Sequence, residues 1–207
     1  MKTFGRVLTA MITSFNNDGS LNIENSVAIA NNLLDNGSDG LVVCGTTGEN
    51  PSMSKEDKLA LFTAIAKECG HKGSIIANVG SNDTKSSVEF VKEVSKIDGI
   101  DGLLVVVPYY NKPNQQGQYL HFKAIAEATT LPIMVYNVPS RVGTGIFPTT
   151  LAQLHSEYPH VCAIKEASGN LMIASEIKRL MPGEDFMVYS GDDGLTLPML
   201  SVGACGV

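Results

Sequence analysis

The sequence predicts an α/β fold of the TIM (β/α)8-barrel class, and three observations support this prediction. Short, fully apolar, β-branched runs recur at even intervals, each long enough for a strand, a helix and two connections. Continuous apolar runs are typical of parallel strands buried on both faces, and helical patterns lie between them. No G-x-G-x-x-G turn follows the first run, which favours a closed barrel over an open doubly wound sheet.

The apolar runs define seven predicted strands, with a helix expected after each. The runs begin at Val7, Leu41, Ile75, Leu103, Ile133, Val161 and Phe186. Ser54, with Asp57 three residues later, predicts the N-cap of the second helix. The helix after the fourth strand is expected to bury Leu120, Ala124 and Ala128, which are spaced for one face.

We interpret residues 1–207 as a single barrel domain that is incomplete at its C-terminus. The chain has no linker or low-complexity segment, and barrels of this class typically need about 250 residues. Its last residues, 203–207, read as the opening of an eighth strand. The expected architecture is therefore a (β/α)8 barrel truncated in strand 8.

The composition excludes several functional classes. The chain is 43% hydrophobic with 17% charged residues, which predicts a folded protein, and its net charge is −6. Neither a basic nucleic-acid footprint nor an apolar run of membrane-spanning length is present, so neither partner is expected. Four cysteines without a C-x-x-C spacing favour a reduced, cytoplasmic enzyme.

Lys165 is the most informative residue of the chain. It follows four apolar residues of a strand that should be buried, and burial disfavours the charged ammonium. A neutral amine can attack a ketone and form a Schiff base. The alternative is an ordinary strand-end lysine, paired with Glu166 or reaching solvent.

Tyr136 lies 29 residues before Lys165, which is one β/α repeat. The two side chains should therefore project from neighbouring strands into one place, where a tyrosine can transfer protons to and from a carbinolamine. A packed aromatic whose hydroxyl caps a loop carbonyl is the alternative.

Two further strand ends contain groups that suit carboxylates. Thr46 and Thr47, flanked by Gly45 and Gly48, offer hydroxyls and close backbone N–H groups, although an ordinary glycine-bounded turn is the alternative. Arg141 could bind a second carboxylate with its planar guanidinium, or form a surface salt bridge. No metal-binding or serine-nucleophile motif occurs, so neither a metal nor another cofactor is expected.

Five motifs in order, each at a predicted strand end, resemble those of one known family. They are G-T-T-G-E at 45–49, V-P-Y-Y-N-K-P at 107–113, Y-N-V-P-S-R at 136–141, I-K-E-A-S-G at 164–169 and Y-S-G-D-D at 189–193. Together they resemble the dihydrodipicolinate synthase family, within the pyruvate-dependent class I aldolases. The likeness extends from Arg6 to Val207.

The resemblance implies a reaction between two small molecules. Pyruvate would form an imine on Lys165, and its enamine would attack L-aspartate 4-semialdehyde to give 4-hydroxy-tetrahydrodipicolinate, for diaminopimelate and lysine synthesis. No metal is needed, because the imine acts as the electron sink. Family members are commonly homotetramers built from tight dimers, and we expect the same assembly here.

The resemblance also implies roles for individual residues. Thr46, Tyr136 and Tyr110 would form a proton relay, with Tyr110 entering the site of a neighbouring subunit. Thr47, in the turn that begins at Gly45, would hold the pyruvate carboxylate. Arg141 would hold the semialdehyde carboxylate.

Two alternatives remain at this point. The sibling aldolases, of the N-acetylneuraminate lyase and keto-deoxy-gluconate aldolase types, share Lys165 and Tyr136, but they usually lack an arginine at the position of Arg141. A non-catalytic ligand-binding barrel would be expected to have lost the lysine or the tyrosine, and both are present.

The sequence departs from the family pattern in two places. Asn78-Val79 stands where the family usually carries a Gly-Thr pair. Lys55 and Lys58 stand where lysine-inhibited members often carry histidines, so we expect weak inhibition by millimolar lysine in initial-rate measurements.

Overall fold

The computed structural model describes residues 4–207 as two compact units. The first unit contains residues 4–78 and 93–104, and the second contains residues 79–92 and 105–207. Along the chain, strands and helices alternate as the apolar runs predict. Within residues 4–207, no helix is both long and apolar enough to cross a bilayer.

The first unit contains parallel strands that follow the order of the sequence. They are β1 (Leu8–Ala10), β2 (Gly40–Val43), β3 (Ser74–Asn78) and β4 (Gly102–Val106), whose last two residues belong to the second unit. The helices are α1 (Ile23–Asp35) and α2 (Lys55–Cys69), with a 3-10 turn at Asn50–Ser52. Ser54 caps α2 as predicted, because its side chain accepts a hydrogen bond from the Asp57 N–H.

The second unit contains three further parallel strands, again in sequence order. They are β5 (Ile133–Asn137), β6 (Val161–Glu166) and β7 (Met187–Ser190). The helices are α3 (Thr84–Val94, its last two residues in the first unit), α4 (Gln115–Ala126), α5 (Pro139–Val142), α6 (Pro148–Glu157), α7 (Leu171–Leu180) and α8 (Thr196–Ser201), with a 3-10 turn at Asp193–Leu195. Gly206 forms a parallel bridge with Tyr189, which is how an eighth strand would begin.

All seven predicted strands are present, and each begins within one residue of its predicted start. These apolar runs become strands because both of their faces are covered, and β2, β3, β5 and β7 are buried at every position.

The predicted face of α4 was wrong. Leu120 is 52% exposed, and Ala128 lies beyond the end of the helix. Tyr119, Phe122 and Ile125 are buried instead. The reason is that a face with two aromatic rings removes more apolar area from water than a face with one leucine and two alanines.

Candidate active site

Lys165 and Tyr136 are neighbours across two strands, as their spacing predicts. They are register partners between β5 and β6, and the Lys165 Nζ lies 4.9 Å from the centroid of the Tyr136 ring. The tyrosine is only 8% exposed. A lysine amine and a phenol are thus held together in one partly dry environment.

The Lys165 ammonium is destabilised by its surroundings. Burial lowers its pKa from the usual 10.5, and the nearby Asp193 carboxylate opposes this effect. Within residues 4–207, Lys165 forms no ion pair. A larger fraction of the amine is therefore neutral at a given pH than for a lysine in water, which favours nucleophilic attack.

Glu166, the alternative partner of Lys165, has other partners. Successive strand residues point to opposite faces, so Glu166 lies on the other side of β6 from Lys165. Its buried carboxylate accepts hydrogen bonds from Asn137 Nδ2 at 2.7 Å and from the Ser168 N–H at 2.6 Å. The side-chain Oδ1 of Asn137 in turn accepts one from the Ile146 N–H at 3.2 Å.

These hydrogen bonds join the ends of β5 and β6 directly behind the lysine and the tyrosine. Sequence reasoning did not assign this function to Asn137 or Glu166. The available signal was their position, because each immediately follows one of the two candidate catalytic residues on its strand.

Gly191 leaves room for the Lys165 side chain. Sequence reasoning did not assign this function to Gly191. A Cβ atom at this position would lie 3.0 Å from Lys165 Cγ, 3.2 Å from Lys165 Cε and 2.7 Å from Ala167 Cβ. Any other residue would therefore displace Lys165 or the loop that follows β6.

Tyr110 lies on a strained and exposed loop. Its φ is +69°, and its side chain is 88% exposed, so it is available to another molecule. The next residue, Asn111, exchanges two hydrogen bonds with Asn82: its Nδ2 donates to the Asn82 backbone oxygen at 2.9 Å, and its Oδ1 accepts from Asn82 Nδ2 at 3.1 Å. These bonds hold the loop beside the unfavourable backbone conformation.

Arg141 is exposed in the short helix α5, which begins at Pro139 and ends before Gly143 in the left-handed conformation. The alternative function, a surface salt bridge, is not found for it among the residues that the structure describes. Its guanidinium is therefore free to bind an anion.

The turn containing Thr46 and Thr47 belongs to the first unit and is described on its own. Both threonines are exposed, whereas Gly45 and Gly48 are buried. The Thr13 hydroxyl donates to the Gly48 carbonyl oxygen at 2.7 Å and so stabilises the turn. Gly48 itself allows a close approach, because a Cβ there would lie 3.1 Å from the Met11 carbonyl oxygen.

Within 4–207, no three histidine, cysteine, aspartate or glutamate side chains are grouped so that they could hold a metal ion.

The dihydrodipicolinate synthetase family model matches residues 3–207. The chain belongs to this family. Two of its curated relatives, from Desulforamulus reducens and Bacillus subtilis, are each 50% identical over 99% of the chain and are named 4-hydroxy-tetrahydrodipicolinate synthase. The chain spans 68% and 70% of their respective lengths.

Solved structures confirm the fold class. The crystal structure of a dihydrodipicolinate synthase from Bacillus anthracis is 44% identical and superposes with a TM-score of 0.96, covering 100% of this chain and 70% of that one. The enzyme from Cyanidioschyzon merolae, solved with lysine bound, is 44% identical with a TM-score of 0.95 and covers 99% of this chain and 69% of that one. The predicted TIM-barrel type of α/β fold is therefore confirmed, with seven parallel strands present.

The contacts of Glu166 generate a stability prediction. We expect Glu166→Gln to lower the free energy of unfolding by about 1–3 kcal/mol, because the new NH2 group must face one of two N–H donors. Urea unfolding measures this change. The matched control is Glu184→Gln at an exposed position of the same unit, which should stay within about 0.5 kcal/mol of the wild type. Equal stabilities of the two variants would contradict the assignment.

Proposed function

We propose that Lys165 is the nucleophile with which this chain performs the reaction of its family, the condensation of pyruvate with L-aspartate 4-semialdehyde. The family membership and the names of the relatives support this reaction. The observation that supports the nucleophile is the partly buried Nζ of Lys165, unpaired and 4.9 Å from the Tyr136 ring.

The chemistry follows from a neutral amine beside a phenol. The Lys165 nitrogen adds to the keto carbon of pyruvate, and the resulting carbinolamine loses water to give an imine. The protonated imine withdraws electrons, so a methyl proton can leave and an enamine forms. The enamine carbon then attacks the aldehyde carbon of the semialdehyde, and cyclisation gives 4-hydroxy-tetrahydrodipicolinate.

Tyr136 is the proton-transfer group in this scheme. Its ring lies beside the Lys165 Nζ, which supports a role for its hydroxyl in protonating the carbinolamine oxygen before water leaves. Thr46 and Tyr110 complete the relay, and the exposure of Tyr110 supports a contribution to the site of a neighbouring subunit.

Two groups bind the carboxylates of the substrates. Thr47 and the Gly45 backbone would hold the pyruvate carboxylate, since the turn presents its hydroxyls outward. Arg141 would hold the semialdehyde carboxylate, because its guanidinium is exposed and unpaired in the described part of the chain. This second carboxylate distinguishes the reaction from those of the sibling aldolases.

Borohydride reduction in the presence of pyruvate tests the nucleophile. The wild-type protein should gain one reduced pyruvate adduct in its intact mass, located at Lys165 by peptide mapping. Lys165→Ala should gain none, and an adduct on that variant would refute the proposal.

Tyr136→Phe is the companion variant, because it keeps the ring against Lys165 and removes only the hydroxyl. We expect it to lower kcat by about 10²- to 10⁴-fold. Tyr158→Phe is the matched control, since the Tyr158 hydroxyl hydrogen-bonds to Glu127 on the surface and should not affect kcat.

A homotetramer built from two dimers is the assembly that we propose. Large apolar side chains are exposed on the second unit, where Leu197 is 77% and Met172 is 73% exposed. Burying such side chains between subunits removes apolar area from water.

Leu197→Asp should shift the protein from tetramers to smaller species, because it would place a charge in a desolvated contact. Sedimentation velocity measures the species present. Thr149→Asp, which adds the same charge at an exposed polar position of the same unit, is the control expected to leave the distribution unchanged. A Leu197→Asp variant that stays tetrameric would exclude this surface from the assembly.

We place the protein in the cytoplasm. The four cysteines are unpaired in the structure, and burial raises the pKa of Cys44 to about 12 and that of Cys162 to about 11, so these thiols are protonated and inert. Fractionation of cells that express the protein tests this location, and recovery outside the cytoplasmic fraction would contradict it.

A further inference from the structure

Asn78, one of the two departures from the family pattern, contacts the backbone that leads into the threonine turn. It is the last residue of β3 and is 5% exposed. Its Nδ2 donates a hydrogen bond of 2.7 Å to the backbone oxygen of Cys44, the residue directly before Gly45. Both residues lie in the first unit.

Cys44 is in a backbone conformation that needs support. Its φ is +55°, in the left-handed region that non-glycine residues seldom adopt. Such a conformation persists only when its surroundings fix it. The hydrogen bond from Asn78 fixes the orientation of the Cys44 carbonyl group.

Fixing this carbonyl also fixes an N–H donor. The Cys44 carbonyl and the Gly45 N–H belong to one planar peptide unit, in which the two bonds point in opposite directions. Holding the oxygen toward Asn78 therefore aims the Gly45 N–H away from it. Within the described residues, the N–H groups of Gly45, Thr46 and Thr47 have no hydrogen-bond acceptor, so all three are available to an anion.

The other half of the Asn78 amide shows what this contact costs. The Cys44 carbonyl can only accept, so the NH2 group must face it. This orientation leaves Asn78 Oδ1 buried and without a partner in the part of the chain that the structure describes. A buried unpaired acceptor destabilises a fold, so this chain makes the contact with Cys44 at a cost in stability.

We propose that Asn78 is a positioning residue for the carboxylate of the keto acid. It holds the Cys44 carbonyl and thereby orients the N–H groups of the Gly45–Thr47 turn. The inference rests on the proposed function, because it takes pyruvate as the anion bound there. Loss of the Asn78 donor should therefore weaken pyruvate binding and leave the KM for the semialdehyde unchanged.

The most direct test replaces the amide with an acid, which can donate a hydrogen bond only while it is protonated. In Asn78→Asp, a protonated carboxylic acid donates to the Cys44 oxygen as the amide does. An ionised carboxylate has no proton to donate, so its oxygen and the Cys44 oxygen repel each other. Burial raises the pKa of such an acid, so the change should occur within the working pH range of the enzyme.

The quantity to measure is the pyruvate concentration that gives half-maximal borohydride trapping. It is measured for the variant and for the wild type from pH 5.5 to 9, and the variant value is divided by the wild-type value at each pH. The ratio cancels the titration of Lys165, which both proteins share. We expect a ratio near one at the acidic end and an increase of about tenfold toward the alkaline end. Asn78→Ala, which has no donor and fits without a clash, should show the raised ratio at every pH.

Asn32→Asp is the matched control, since it adds the same charge at an exposed position of the first unit, and its ratio should stay at one. If the wild-type protein traps pyruvate and the ratio for Asn78→Asp does not change with pH, this proposal alone is overturned. Absence of trapping in the wild-type protein itself would overturn the proposed function and this inference together.

Discussion

The proposed activity depends on one constraint, which is that the Lys165 amine must be partly removed from water without a permanent counter-ion. An ion-paired lysine would stay protonated, and a fully solvated one would be almost entirely charged at neutral pH. The structure avoids both conditions. Strand β6 is buried around Lys165, Gly191 leaves space for its side chain, and the face of Tyr136 contacts the ammonium without neutralising it.

Strand alternation separates the two candidate reacting groups from the groups that hold them. Lys165 and Tyr136 lie on one face of the paired strands β5 and β6, and the residues that follow them, Glu166 and Asn137, lie on the other. The hydrogen bonds on the second face fix the relative positions of the two strand ends. A buried carboxylate can therefore serve the site without altering the charge of the lysine.

Backbone strain is concentrated in the loops that contain the candidate site residues. In the described part of the chain, the non-glycine residues with positive φ are Cys44, Glu49, Tyr110 and Lys112. Two of them bracket the threonine turn and two lie in the Tyr110 loop. Side-chain hydrogen bonds from outside each loop hold these conformations, from Asn78 in the first case and from Asn82 in the second. The backbone strain therefore lies close to the candidate site residues, and side chains of neighbouring segments stabilise it.

The sequence by itself determined the order of the strands and the pairing of Lys165 with Tyr136. Both follow from a single repeat length, because a shift of one β/α unit along the chain moves a side chain to the neighbouring strand at the same height. The cap of α2 was equally predictable, since Ser54 and Asp57 are close in sequence and the contact is local. The candidate site residues were found in the same way, as polar groups that follow apolar strands.

Only the tertiary structure decided which groups support those residues. The hydrogen bonds from Asn137 to Glu166 and from Asn82 to Asn111 join residues 29 positions apart, and the one from Asn78 to Cys44 joins residues 34 apart. The buried face of α4 was decided in the same way, by which side chains met a partner. Periodicity specifies the direction in which a side chain points from its own element, whereas a hydrogen bond or a packed contact also requires the position of a second element.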